Sequence, residues 1–480
     1  MPSASLTRRG PAVALALLIV AVAVGTLLYP TYPNYDSYYS LLWGREILHL
    51  HLPTFDVYRA PTQHPLALVF GAALSLLGRN GDRVMVLFTM ASLVVLAAGM
   101  YRLGRAAFTP VIGLIAGALL ITRFDFPFLA ARAYIDIPYL AFVIWAAALE
   151  VERPRRGMPV LILLFLASLM RPEAWILAGL YVLWIGWRAT WPQRFRYSAI
   201  AAAGPLIWVA IDTIVTGHPL FSLTHTSGLA EELGRNKGLS QVPSATWDFL
   251  KSLDKLPVLL AAAAGLLLAV WLTPRRALIP LLLLMLGLAT FFLVGVAGLS
   301  IINRYLLVPS LMIMIFAAVA LGGWSMLRSG AVQWVWAGVA VLGVVGGALY
   351  TTSHLKSNVF TENLKFRGDV HRALVHLLDE PKVRAGLRCG PLSVPNHKLI
   401  PEARWILDAG EHRVVARSDP KNFKHTNRGV AVFTINRTAF VIQQLADPTV
   451  PQNIVERELI PQAGFTRIAT NGYYSAYARC

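Results

Sequence analysis

A single carboxylate set among aromatic residues is the first feature of this sequence that could do chemistry. Tyr29-Pro30-Thr31-Tyr32-Pro33-Asn34-Tyr35-Asp36-Ser37-Tyr38-Tyr39 holds five tyrosines around Asp36. A carboxylate partly shielded from water has its pKa raised toward the range useful to a general base, and aromatic rings offer sugars a stacking surface. The same residues have a structural reading, with Asp36 as the N-cap of a helix over 37–48 and the tyrosines as a belt at a membrane surface. Further candidates stand in Arg59-Ala60-Pro61-Thr62-Gln63-His64-Pro65, Ala133-Tyr134-Ile135-Asp136-Ile137-Pro138, Arg171-Pro172-Glu173 and Asn303-Arg304-Tyr305. Arginine is always charged and gives two parallel hydrogen bonds, which suits it to a phosphate. Each also has a plainer role: Arg304 snorkelling to an interface, Arg171-Pro172-Glu173 starting a helix, and Arg59, His64 and Arg132 as structural or surface residues.

The elements that must position these residues are membrane spans. Of 480 residues, 56% are hydrophobic and 14% charged, and the mean hydropathy is +0.57, far outside the soluble range. A span needs roughly 20 apolar residues to cross a core of about 30 Å. Runs of that kind, some short, recur about eleven times, near 11–29, 83–103, 110–123, 137–150, 158–170, 174–187, 198–215, 256–273, 277–299, 305–327 and 332–350. The N-terminal run resembles a signal peptide but has no small-x-small cleavage site after it, so it reads as a retained span.

The formal charge of +18 comes from arginines clustered between apolar runs rather than in one stripe, so it reads as a topology signal and not as a nucleic-acid surface. Arg8 and Arg9 put the N-terminus inside, and every second loop is then basic: Arg102 and Arg105; Arg153, Arg155 and Arg156; Arg188, Arg194 and Arg196; Arg275 and Arg276; Arg328. Counting the apolar stretch 64–77 as a span would invert that pattern. It is expected to lie at the outer interface. The expected organisation is a mainly α, polytopic membrane module over 1–350 with a long first outer loop at 30–82, followed by a small extracytoplasmic α/β domain over 351–480. Short β-like runs at 413–416 and 430–435 and a helix-like run at 364–378 mark that domain. Cys389 and Cys480 both fall in it, on the side expected to be oxidising. A disulfide and two free thiols are both open.

These segments resemble the GT-C superfamily of polytopic glycosyltransferases, which includes the bacterial aminoarabinose transferases and the protein O-mannosyltransferases. The resemblance covers roughly residues 10–350 as an architecture. It implies that Asp36 matches the catalytic aspartate of the first outer loop, that Asp136 matches the acid before the fourth span, and that Arg304-Tyr305 matches the Arg-Tyr found there in many relatives. Arg304, Arg171, Arg59, His64 and Tyr305 are then the candidates for binding the donor phosphate. Asp36-Ser37 stands where many relatives have paired acids, and His64-Pro65 where aminoarabinose transferases have Lys-Pro.

The implied reaction moves a sugar from a polyprenyl phosphate to an acceptor hydroxyl, with the membrane lipid carrying the donor. The usage of Arg and Ala is that of a GC-rich bacterium, so the expected acceptor is a cell-envelope glycan or glycolipid at the plasma membrane. A multi-pass transporter or flippase of envelope lipids or saccharides is the alternative, and transporters tend to carry ionisable residues in mid-bilayer. Here the span centres are almost free of charge and Asp212 lies near a span end. A non-catalytic assembly or sensor protein is a third reading, which a tolerated replacement of Asp36 would favour. Asp36 with Asp136 could hold a divalent cation, as in some relatives, whereas others work without one; no metal is assigned. His49, His51, His218 and His225 lack the fixed spacing of a metal site. No phosphate-cradling loop, dinucleotide fingerprint or zinc-protease motif is present.

Overall fold

The computed structural model describes residues 3–235, 238–354, 358–443, 445 and 459–480. Every one of the eleven expected apolar runs occupies a helix. Among the described residues six helices are long and apolar enough to cross a membrane by themselves: Gly10–Leu28, Gly78–Ala107, Trp191–Thr216, Pro274–Val296, Asn303–Met326 and Ala331–Tyr350. Two helix pairs pass the same test only when taken together across a sharp bend, Pro110–Thr122 with Asp125–Ala131 at 62° and Leu239–Asp254 with Leu256–Leu272 at 101°, each a broken span or a re-entrant loop. Asn303–Met326 runs through the centre of the bundle, with Leu311, Met312, Met314, Ile315, Phe316 and Val319 buried. The chain is a polytopic helical membrane protein. The side chains of Arg8 and Arg9, on which the expected orientation rests, lie outside the described residues.

The segment expected to lie at the interface is the 11-residue helix Pro65–Ser75, which at 1.5 Å per residue reaches about 16 Å, half of a hydrocarbon core. Met158–Ser168 and Glu173–Gly186 are comparably short. Pro65–Ser75 packs along Tyr35–Leu48, and the two helices touch through Gly44 and Gly71, where a Cβ on either would run into the other's backbone. Glycine here permits the close approach.

The C-terminal α/β domain is built on a five-stranded sheet in the order β2-β1-β3-β5-β4. Its strands are β1 (Leu392–Val394), β2 (Val414–Ala416), β3 (Gly429–Thr434), β4 (Thr466–Thr470) and β5 (Tyr474–Arg479). β1 pairs in parallel with β2 and β3, while β5 is antiparallel to β3 and β4. The expected runs at 413–416 and 430–435 are β2 and β3, and the helix-like run lies inside Asn358–Asp379. Leu374, Leu378, Val394, Val430, Val432 and Tyr474 close the core.

The domain is bound to the segment between the first two spans. Trp405 packs with Tyr32, Tyr38 and Met85, and its indole N–H donates to the Arg79 carbonyl at 3.2 Å. His371 stacks on Tyr32 at 4.6 Å. Arg404, 1% exposed, donates to Glu46 at 2.7 Å. The ion pair offsets part of the cost of burying that charge, through one of the three guanidinium nitrogens.

Cys389 and Cys480 form a disulfide with a Cα–Cα distance of 5.2 Å, closing 91 residues of chain. A loop of that length restricts the unfolded chain, so replacing both cysteines with serine should destabilise the domain by about 2–5 kcal/mol. Thermal melting of the full chain, with proteolysis of the C-terminal domain as a second readout, measures this. Identical melting of the native and serine chains would show that the bridge does not form.

Candidate active site

Asp36 is held by the start of its own helix. Asn34, not Asp36, is the N-cap: its Oδ1 accepts from the amides of Asp36 at 2.8 Å and Ser37 at 3.3 Å, and the helix begins at Tyr35. The N-cap reading of Asp36 is therefore wrong. Asp36 sits in the first turn with its carboxylate released to face outward from the helix.

That turn is tied to the segment leading to Asp136. Asn34 Nδ2 donates to the Arg132 carbonyl at 3.0 Å and Ser37 Oγ to the Ala133 carbonyl at 2.6 Å. Ala133 adopts φ 55°, a left-handed conformation unfavourable for a residue with a Cβ and sustained only by surrounding structure. The result brings the N-termini of the Tyr35–Leu48 and Asp136–Glu152 helices side by side.

Arg304 joins the two acids. Its Nη1 lies 3.4 Å from Asp36 Oδ2 and 3.4 Å from Asp136 Oδ2, its Nη2 lies 3.4 Å from Asp36 Oδ2, and its guanidinium covers the Tyr134 ring at 5.2 Å. These are long hydrogen bonds. Arg171 is held differently: it pairs closely with Asp136 and donates to Glu173 at 2.7 and 3.0 Å, with Tyr305 below it at 5.0 Å. Asp136 is 1% exposed and is committed to two arginines, so it is an anchor. Asp36, with 28% of its side chain exposed and only loose contacts to Arg304, is the more accessible of the two carboxylates.

These residues line one cavity of about 400 Å³. Asp36, Arg59, His64, Asp136, Arg171, Arg304 and Tyr305 all reach its wall. Arg59 adopts φ 54° and pairs with Glu232 at 2.9 Å, which ties the Phe221–Glu232 helix over the site. The carboxylate of Asp212 accepts from the Ser222 amide at 2.8 Å and hydroxyl at 2.7 Å, fixing the start of the same helix. Arg132 serves elsewhere, its guanidinium 4.1 Å from the centre of the Tyr32 ring. His225 hydrogen-bonds to the Ala60 carbonyl and His51 lines an apolar groove, so the four histidines do not assemble.

Residues from distant segments complete the wall: Trp175 and Trp208, Arg235, and His397 with Lys398 from the α/β domain. Sequence reasoning missed them. Arg235 carried a usable signal, since like Arg304 it is an arginine in a segment expected to face outward. No such pattern marks His397.

As for a metal, no group of three or more His, Cys, Asp or Glu capable of holding one occurs among the described residues. The space between Asp36 and Asp136 is bridged by a guanidinium. The donor set does not fit a resident cation.

His64 stands at the N-terminus of Pro65–Ser75 with its ring edge-on to Trp208 at 5.7 Å. Burial, reinforced by Arg171 and Arg304 against the opposite pull of Asp36 and Asp136, pushes its pKa down to about 4. The unfolded chain, with an ordinary histidine near 6.5, therefore binds more protons between those values, and stability rises with pH across this window. Acidification from pH 7 should cost up to roughly 3 kcal/mol at this residue. Melting temperatures between about pH 4 and 7 should fall less steeply for His64→Asn than for the native chain; equal slopes would contradict the neutral buried imidazole.

The architecture is that of known structures. ArnT from Cupriavidus metallidurans superposes with a TM-score of 0.57 at 14% identity, covering 98% of both chains. The chain has the GT-C fold. The oligosaccharyltransferase of Archaeoglobus fulgidus shares this GT-C arrangement with a TM-score of 0.53 at 10% identity over 97% of this chain and 74% of that one. The same archaeal protein, AglB, in complex with an inhibitory peptide and a dolichol-phosphate gives 0.54 at 12% identity over the same shares. No protein-family model and no curated protein sequence matches the chain.

Proposed function

We propose that this GT-C chain is a membrane glycosyltransferase that moves a sugar from a polyprenyl phosphate to a hydroxyl of a cell-envelope glycan or glycolipid, on the extracytoplasmic face of a bacterial plasma membrane. The observation that carries the reading is the meeting of an accessible carboxylate, Asp36, with a loosely held guanidinium, Arg304, in one cavity. Asp36 takes the proton of the acceptor hydroxyl, the acceptor oxygen bonds to C1 of the sugar, and the bond from C1 to the phosphate oxygen breaks with its electrons remaining on the lipid phosphate. Arg304 exchanges its long contacts for the departing phosphate, whose charge grows in the transition state. Asp136, locked to Arg171, faces Arg304 with its other carboxylate oxygen and orients the guanidinium toward the cavity. A single displacement of this kind inverts the anomeric centre.

Support also comes from the bound dolichol-phosphate in the archaeal relative of the same fold, a lipid phosphate of the class proposed here. Trp175, Trp208, Leu223 and Leu229 give the cavity an apolar side that suits the start of an isoprenoid chain.

The test is turnover by the purified full chain in nanodiscs supplied with a panel of polyprenyl-phosphate sugars. Release of polyprenyl phosphate from one donor supports the reading. Flux of lipid or saccharide across vesicles with no turnover of any donor would replace it with a transporter.

A further inference from the structure

One wall of the cavity belongs to the α/β domain. There β1, β2 and β3 run parallel, and open sheets of this type bind ligands at the carboxyl ends of their strands. Leaving β1, the chain enters Asn396-His397-Lys398. Asn396 Oδ1 accepts from the Lys398 amide at 3.1 Å, and its Nδ2 donates to the Gln443 carbonyl at 2.9 Å. This fixes the short turn that carries His397 and Lys398 to the cavity wall.

His397 is 3% exposed, and among the described residues its Nδ1 has no hydrogen-bond partner. Buried polar atoms are nearly always satisfied, so such an exception at the wall of a cavity points to a ligand that completes it. The ring stands edge-on to Tyr35 at 5.5 Å, and the Lys398 ammonium lies 5.6 Å from the centre of the same tyrosine. Tyr35 directly precedes Asp36. Burial, with the charges of Lys398, Arg59 and Arg235 nearby, holds the imidazole neutral, its pKa well below the usual range. A neutral ring can accept from or donate to a hydroxyl, while the gathered cations favour an anion.

We infer that His397 and Lys398 form the acceptor subsite, and that the acceptor is an acidic saccharide: a sugar hydroxyl bonds His397 Nδ1 and a carboxylate on that sugar pairs with Lys398 and Arg235. This rests on the glycosyltransferase reading. The donor phosphate is the other possible source of an anion here. Its lipid tail ties it to the helical spans, where Arg304 resides, whereas His397 and Lys398 belong to the α/β domain.

The experiment measures thermal protection of the full chain in nanodiscs by galacturonate, galactose and inorganic phosphate. Galacturonate should bind the native chain at least about tenfold more tightly than galactose. Lys398→Gln should abolish that preference, Lys398→Arg should restore it, and His397→Asn should weaken both sugars. Equal binding of the two sugars, or a Lys398→Gln chain that keeps the preference, overturns the acidic acceptor. Phosphate matching galacturonate and displacing it assigns the wall to the donor and overturns the acceptor subsite. Donor turnover by the native chain is scored separately. Its failure with galacturonate selectivity intact sinks the glycosyltransferase reading alone, and turnover with no sugar binding sinks the subsite alone.

Discussion

Asp36→Asn is expected to lower donor turnover by about 10²–10⁴, the contribution of a positioned general base, while leaving the fold intact. Asparagine keeps the size and the first-turn position, and the cap belongs to Asn34, so helix initiation does not depend on the lost charge. Because the carboxylate acts on the acceptor proton, the loss should fall on kcat more than on KM for the donor. Native melting with turnover reduced less than tenfold would remove Asp36 from the role of base.

The second large effect belongs to Arg304. Arg304→Gln should reduce kcat/KM by about 10²–10³, the loss seen when one stabilising donor is taken from a developing anion. Arg304→Lys should recover part of this, since lysine keeps the charge and loses the planar fork. The effect is separable from damage to the fold because the long contacts of Arg304, at 3.4 Å, contribute little to packing, and Asp136 retains Arg171 as its close partner. Steady-state kinetics on the two variants, with melting as control, measures this. Full activity in Arg304→Gln would leave the leaving phosphate without its cation.

The helical part was largely legible in the sequence because backbone groups in lipid must be satisfied within the segment, which an apolar helix does, and such helices are marked by composition alone. The candidate site was legible to the extent that its residues sit at helix starts flanked by Pro or Asn. Asp36, Asp136, Arg171 and Arg304 could be named, but not their pairings. Which arginine is locked and which is loose depends on distances between segments far apart in the chain. The misassigned cap had a local cause: Asn and Asp cap helices about equally well, so Asn34 and Asp36 could not be ranked without the backbone.

The α/β domain was harder to read. β1 is three residues long, and β4 and β5 carry Arg467, Tyr477 and Arg479 among small residues, giving no clear alternation of apolar and polar positions. Placement of His397 against Tyr35 depends on how the domain docks, through Trp405 on Tyr32 and Tyr38 and through Arg404 on Glu46. None of those partners is close in sequence.

The most direct test of glycosyl transfer is to let the purified chain hydrolyse its polyprenyl-phosphate sugar in water enriched in heavy oxygen and to weigh both products. Breakage between C1 and the phosphate oxygen, as proposed, puts the heavy oxygen on the sugar and none on the lipid phosphate. Heavy oxygen on the lipid phosphate would mean that the bond to phosphorus is the one broken, and the chain would then transfer or hydrolyse phosphate, not sugar.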